Sequence, residues 1–395
     1  MEIRASPKSN DEDVQLKPTL PLNISKLSHR KSTTKVRFSE VPPEEPSKSK
    51  RTPAQLLQKV LCDKQYLNLT GKIVLEGAEE IGHGGFADVY KCGSLLPQKL
   101  VAVKRLRLNI AESQRPKVAK DIAKEIRIWS ELDNPNVLPL LGYIVIGGSC
   151  LPALVSEWMK KGTLRHCIED LKRCDAISMV ALGIARGLSY LHEREIIHSD
   201  LKSDNVLVST DMQPLLTDFG ISRMASLSTG YTSANTKGTP RWQAREFFIF
   251  RELDSEESES ICPPTHTVAT DIWAYGMTIY ELLSYEMPYA HIPNASQLIV
   301  VISRGFLPGL PKSMKTSRGP DKFLEETLWA ICTECWDFDP EARPKLSEII
   351  KRLDFIDRCK DADETKYVSN IAVGVFDHYG ITTSVDISQD LIRTA

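Results

Sequence analysis

Ile197-His198-Ser199-Asp200-Leu201-Lys202-Ser203-Asp204-Asn205-Val206-Leu207, followed eleven residues later by Asp218-Phe219-Gly220, is the stretch on which the reading of this 395-residue chain turns. It brings a carboxylate (Asp200), a cation two residues on (Lys202), an amide (Asn205) and a second carboxylate (Asp218) close together in sequence. Phosphoryl transfer asks for these parts: an oriented nucleophile, metal ions and neutralised charge, with little covalent chemistry from the protein. Hard oxygen ligands such as Asn205 and Asp218 suit Mg²⁺, which keeps waters and substrate phosphates in its shell.

Upstream lies Gly82-His83-Gly84-Gly85-Phe86-Ala87-Asp88-Val89. Glycine carries no Cβ, so backbone N–H groups there approach phosphate oxygens closely. Alone, such a loop is equally a hairpin turn. Val101-Ala102-Val103-Lys104 follows. A lysine in that setting is usually a solvated edge charge, but beside a phosphate-cradling loop it pairs with α- and β-phosphates. Glu125, on the next predicted helix, is the candidate anion to hold Lys104.

Downstream come Gly238-Thr239-Pro240-Arg241-Trp242, Asp271-Ile272-Trp273-Ala274-Tyr275-Gly276, and Cys335-Trp336 with Asp339-Pro340-Glu341-Ala342-Arg343-Pro344. In this order and spacing the chain resembles the eukaryotic protein kinase family over about Leu75 to Leu353. Gly162-Thr163-Leu164 and Arg241-Trp242 are similar to the tyrosine-kinase-like group of serine/threonine kinases. The resemblance implies ATP and Mg²⁺ as cofactors and a protein substrate, with Lys202 favouring serine or threonine. It places Ile81, Gly82, His83, Gly84, Gly85, Phe86, Ala87 and Val89 over the nucleotide. It sets Ala102 and Leu207 about the adenine, Ser156 as gatekeeper, and Glu157 and Met159 at the hinge. Lys104 pairs with Glu125, Asp200 is the catalytic base beside Lys202, and Asn205 and Asp218 hold magnesium. Thr239 lies where the residue after the phosphoacceptor docks.

Three positions depart from the family pattern. Ala87 replaces the third loop glycine, and Arg245 stands where the family has proline. Ser199 replaces an arginine that helps form a pocket for a phosphorylated activation loop. Activity is therefore expected to depend less on loop phosphorylation. Glu246 is retained and is expected to pair with Arg343. A pseudokinase scaffold is the alternative these departures motivate. The retained Lys104, Glu125, Asp200, Lys202, Asn205 and Asp218 oppose it, since a scaffold has no need of the whole set. Against a small-molecule kinase stand the 238–242 and 271–276 segments, which in the family serve peptide docking.

The rest of the chain frames this domain. Residues 1–52 hold 11 Lys/Arg, 7 Asp/Glu and one aromatic, Phe38, so they read as a disordered tail. Leu56, Leu57, Val60 and Leu61 recur at helical spacing and mark a short helical lead-in over 53–72. Strand-like runs then precede a mostly helical half, an α+β signature with two lobes and a cleft. The expected kinase domain is 73–354, with an N-lobe of about 73–158 and a C-lobe of about 159–354, and 355–395 is a C-terminal tail. Val180, Ile184, Leu188 and Leu191 line one helix face.

A net charge of -2 gives no reason to expect nucleic-acid binding, and no apolar run is long enough to span a bilayer. Nine scattered cysteines and no apolar leader point to an intracellular protein, in the cytoplasm first, with the nucleus also open. Lys35-Val36-Arg37-Phe38 resembles the docking motif for protein phosphatase-1, the alternative being a solvated tail. Glu252 to Glu259 reads as a solvated acidic loop, Cys332 and Cys335 as helix core, and His198 as a core histidine packed on Phe219.

Overall fold

The computed structural model describes residues 51–83, 87–95, 98–106, 113, 115–147, 151–173, 176–219, 239–249, 265–315 and 319–360. The docking stretch Lys35–Phe38, loop residues Gly84, Gly85 and Phe86, Gly220 and the acidic stretch 252–259 lie outside the described residues.

The N-lobe is a five-stranded sheet of order β1-β2-β3-β5-β4, antiparallel throughout. Its strands are β1 (Ile73–His83), β2 (Ala87–Leu95), β3 (Gln98–Leu106), β4 (Leu140–Ile144) and β5 (Ala153–Glu157). In β3, Val101 and Val103 are buried with Ile73, Cys92, Ile144, Ala153 and Val155. Strand side chains alternate in direction, so Ala102 and Lys104 belong to the opposite face. Helix α1 (Pro53–Asp63) precedes the sheet, and α2 (Arg115–Trp129) crosses between β3 and β4. A capping box joining Thr52 and Gln55, with proline at the first turn, explains where α1 starts.

The C-lobe is built on α3 (Leu164–Arg173), α4 (Ile177–His192), α5 (Val268–Ser284), α6 (Ala295–Ser303), α7 (Gly319–Cys335) and α8 (Leu346–Lys360). Two short strands, β6 (Val206–Val208) and β7 (Pro214–Leu216), pair below the cleft. The predicted face of α4 is realised, with Val180, Ile184, Leu188 and Leu191 all fully buried. Burying such a side chain favours folding by about 1.5–3 kcal/mol. Helix α5 is buried nearly all round, as a central element must be. At Gly276 an added Cβ would stand 2.7 Å from Cys335 Cβ, so only glycine lets α5 and α7 approach this closely. Cys332 and Cys335 are fully buried in that packing, in keeping with a core role. The bilobal α+β expectation therefore holds.

Candidate active site

Asp200 lies at the end of the turn that follows α4, and its carboxylate is held from two sides. Lys202 Nζ donates to Asp200 Oδ2 at 2.7 Å, and Asn205 Nδ2 donates to the same oxygen at 2.9 Å. The Asn205 amide also donates to the Asp200 carbonyl at 2.7 Å. Spacings of two and five residues close because Ser203–Asn205 form one 3-10 turn. Among the described residues nothing donates to the Asn205 side-chain oxygen, which leaves that atom for a cation. Thr217 N donates to the Asn205 carbonyl at 3.0 Å, which ties the residue before Asp218 to Asn205. Two hard oxygens thus come from adjoining backbone segments, and the residues fit a divalent ion that also binds substrate phosphates.

Lys104 Nζ donates to Asp218 Oδ1 at 2.5 Å. Burial alone would lower the lysine pKa, but Asp218 and then Glu125 outweigh it and raise the value. Asp218 responds in the opposite sense: burial pushes it up, and the lysine charge brings it below the usual carboxylate range. The expected Lys104–Glu125 pair is not closed. Glu125 shares a small cavity with Lys104, Leu106, Ile122, Pro152 and Leu154 but does not come within 4 Å of the ammonium. Burial lifts Glu125 to about 8, with Lys104 pulling against the rise. The lysine has gone to the carboxylate that makes a short hydrogen bond, because a desolvated ammonium needs a direct acceptor.

The loop carrying Asp200 is anchored from α5. Asp271, 1% exposed, accepts from His198 N at 2.7 Å and from Ser199 N at 2.9 Å. It also meets His192 Nε2 at 2.8 Å. Ser199 and Asp218 have φ of 68° and 61°, a left-handed conformation that costs non-glycine residues about 1–3 kcal/mol. The Asp271 bonds hold the first of these in place. Glu281, further along α5, accepts from Ser203 Oγ at 2.7 Å, Trp242 Nε1 at 2.9 Å and Arg165 Nη1 at 2.9 Å. Burial raises it to about 7, with its donors opposing the rise. Sequence reading missed Glu281 altogether. The one signal was an acid inside the apolar run Met277–Leu283.

The remaining predicted residues fall along the cleft. Phe219 packs edge-on against Trp129 at 5.9 Å and His198 at 6.3 Å. Ala102 pairs with Ser156 across β3 and β5, and Ser156 also pairs with Leu140 of β4. Val89 lies opposite Lys104, and Ala87 opposite Leu106. Gly82 and His83 close β1 against Val89 and Asp88, and Ile81 beside them is 44% exposed. Glu157 pairs with Lys99 at 3.3 Å, and the Met159 carbonyl accepts from Gly162 N at 3.0 Å. Leu207 bridges Thr163, which places β6 against the segment leaving the hinge.

Downstream, Glu246 and Arg343 form the expected pair, bidentate at 2.8 Å on both arms. Arg245 donates to the Ser303 carbonyl at 3.2 Å and lies over the Phe338 ring at 4.6 Å. It therefore has a structural place where the family has proline. Arg241 clamps the Pro288, Tyr289 and Ile292 carbonyls at 2.9, 2.6 and 2.7 Å. Among the described residues no helix is long and apolar enough to cross a membrane.

Residues 75–353 match the family described as protein tyrosine and serine/threonine kinase. The chain is 31% identical over 286 residues to ephrin type-B receptor 1-A of Xenopus laevis, which covers 70% of this chain and 26% of that one. It is 31% identical over 286 residues to ephrin type-A receptor 5 of Rattus norvegicus, covering 69% and 25%. With ephrin type-A receptor 3 of Danio rerio it shares 30% over 305 residues, covering 74% and 28%. The match therefore spans about a quarter of the length of these relatives.

Proposed function

The chain belongs to the protein tyrosine and serine/threonine kinase family, and from that premise we propose that it transfers the γ-phosphate of Mg·ATP to a serine or threonine of a protein. The observation that carries this reading is the Asp200 carboxylate, fixed by Lys202 and Asn205 on one wall of the cleft, with Lys104 and Asp218 beside it.

In this mechanism Asp200 orients the substrate hydroxyl and accepts its proton, and Lys202 offsets the charge that builds as the phosphoryl group moves. Lys104 steers the α- and β-phosphates, with Glu125 as its second carboxyl partner. Asn205 Oδ1 and Asp218 are the protein oxygens for the metal ion, which supplies charge neutralisation at the phosphates. Ile81–Phe86, Ala87 and Val89 cover the nucleotide, Ala102 and Leu207 flank the adenine, and Ser156, Glu157 and Met159 form the back and hinge of its pocket. The family description covers both hydroxyl classes. The serine/threonine choice rests on Lys202, two residues beyond the base and bonded to it.

Purified protein should transfer labelled phosphate from Mg·ATP to itself or to a basic protein, and the labelled residues should be phosphoserine and phosphothreonine. Asp200→Asn should lower the rate at least about 10²-fold. Equal rates for the two proteins would remove Asp200 from its role, and phosphotyrosine alone would reverse the substrate class. Transfer by neither protein would favour a pseudokinase scaffold.

A further inference from the structure

Helix α1 ends at Asp63, ahead of the family match that begins at residue 75, yet it is built into the active lobe. Leu57 and Val60 are its buried residues, 4% and 9% exposed. They share one apolar cluster with Ala119, Ile122, Ala123 and Ile126 of α2. Ile122 also lines the cavity that contains Lys104 and Glu125. The helix that packs on α1 thus also borders the catalytic lysine.

The chain after α1 is fastened to β4. Tyr143 Oη donates to the Leu61 carbonyl at 2.9 Å, Leu69 N to the Tyr143 carbonyl at 2.8 Å, and Val145 N to Thr70 Oγ1 at 3.0 Å. A methyl group at Gly142 would overlap the Leu67 carbonyl oxygen, so the segment lies flush on the strand. Lys64 reaches Glu131, just past α2, at 3.3 Å. On its cleft side α2 has a weaker hold, since among the described residues Glu125 makes no ion pair within 4 Å and Lys104 is bonded to Asp218.

We propose that Leu57 and Val60 are positioning residues for phosphoryl transfer, setting where α2 rests and so how closely Glu125 approaches Lys104. The proposal rests on the kinase reading above. Packed interiors shift between discrete arrangements rather than deforming smoothly. With the two side chains seated, α2 keeps Glu125 half-buried beside Lys104. Without them α2 moves outward, water reaches Glu125, and Lys104 is left to Asp218 alone.

The test is a cycle on the full chain that combines Leu57→Ala/Val60→Ala with Glu125→Gln. In the unaltered background the alanines should lower kcat/KM for ATP at least about ten-fold. With Glu125→Gln already present they should lower it less than about two-fold further. Backbone amides of α2 should exchange faster, while those of α4 and α5 stay unchanged. Leu57→Met, which keeps the volume, and Lys59→Ala on the exposed face should leave the rate nearly intact. The same fold-loss in both backgrounds would mean that α1 acts on stability and not through Glu125, and would overturn the proposal. Unchanged kcat/KM in the alanine variant would overturn it too. Should the unaltered chain transfer no phosphate, the kinase reading fails, and the same cycle on the affinity for a non-hydrolysable ATP analogue decides this one: additive losses reject it, and coupled losses uphold it.

Discussion

Two carboxylates, one fully buried and one half-buried, flank the active site and are treated in opposite ways. Glu281 below the cleft accepts from Ser203, Trp242 and Arg165, and it joins the turn after Asp200, the segment around Trp242 and α3 into one unit. Glu125 above the cleft is half-buried beside Lys104 and, among the described residues, has no ion pair inside 4 Å. Burial raises both, to about 7 and about 8. A buried carboxylate with several donors is an anchor, because removing it strands each donor. A half-buried carboxylate without them is poised, because it gains a direct partner only when its helix or its lysine moves. The C-lobe side of the site is fixed by design, and the N-lobe side is adjustable.

The largest test of this contrast is stability. Glu281→Ala should cost about 3–5 kcal/mol in urea unfolding, since it leaves an indole and a hydroxyl unpaired in the interior and a half-buried arginine without its carboxylate. Near pH 4.5, where the folded carboxyl holds its proton, Glu125→Gln should change stability by less than about 1 kcal/mol, while at neutral pH it should lower phosphate transfer about ten-fold or more. Equal destabilisation by the two would erase the distinction.

The next test is pH. Both carboxyl groups have folded-state values above the ordinary 4.5, so the folded chain holds protons that the unfolded chain has released. Their contribution to stability is complete below about pH 4.5 and is lost as pH rises towards 7 and then 8. The urea midpoint should fall between pH 5 and pH 8, and Glu125→Gln should remove the upper part of that fall. The smallest expected effect concerns Ser199. With no arginine beside Asp200, phosphatase treatment of purified protein should change its rate less than about two-fold. A large drop would show that another cation serves the activation segment.

The sequence carried the lower half of the site well. Asp200, Lys202 and Asn205 lie within one turn of chain, so chemistry and local geometry impose the same spacing. The helix beginning at Pro53 and the buried face of α4 were legible from periodicity alone. The partner of Lys104 was not legible. Glu125 and Asp218 are both within reach of the lysine in space, and only packing decides which of them the ammonium touches. Nor was Glu281 readable as an anchor, because its donors come from residues 165, 203 and 242, far apart in sequence. The family signature names Asp271 but says nothing of the backbone strain it stabilises at Ser199.

That long-range anchoring has a consequence for how the molecule comes into being. His198 and Ser199 take their bonds from Asp271, and Ser203 takes its bond from Glu281, separations of 73, 72 and 78 residues. At about 5–20 residues per second, a ribosome needs about 4–16 s to make that stretch after the catalytic loop has been synthesised. Until α5 emerges, the loop lacks the acceptors that hold its left-handed turn. A nascent chain therefore carries Lys104, Asp200, Asn205 and Asp218 before the turn that presents Asp200 is held in shape. The turn that presents Asp200 gains its shape only with the C-lobe.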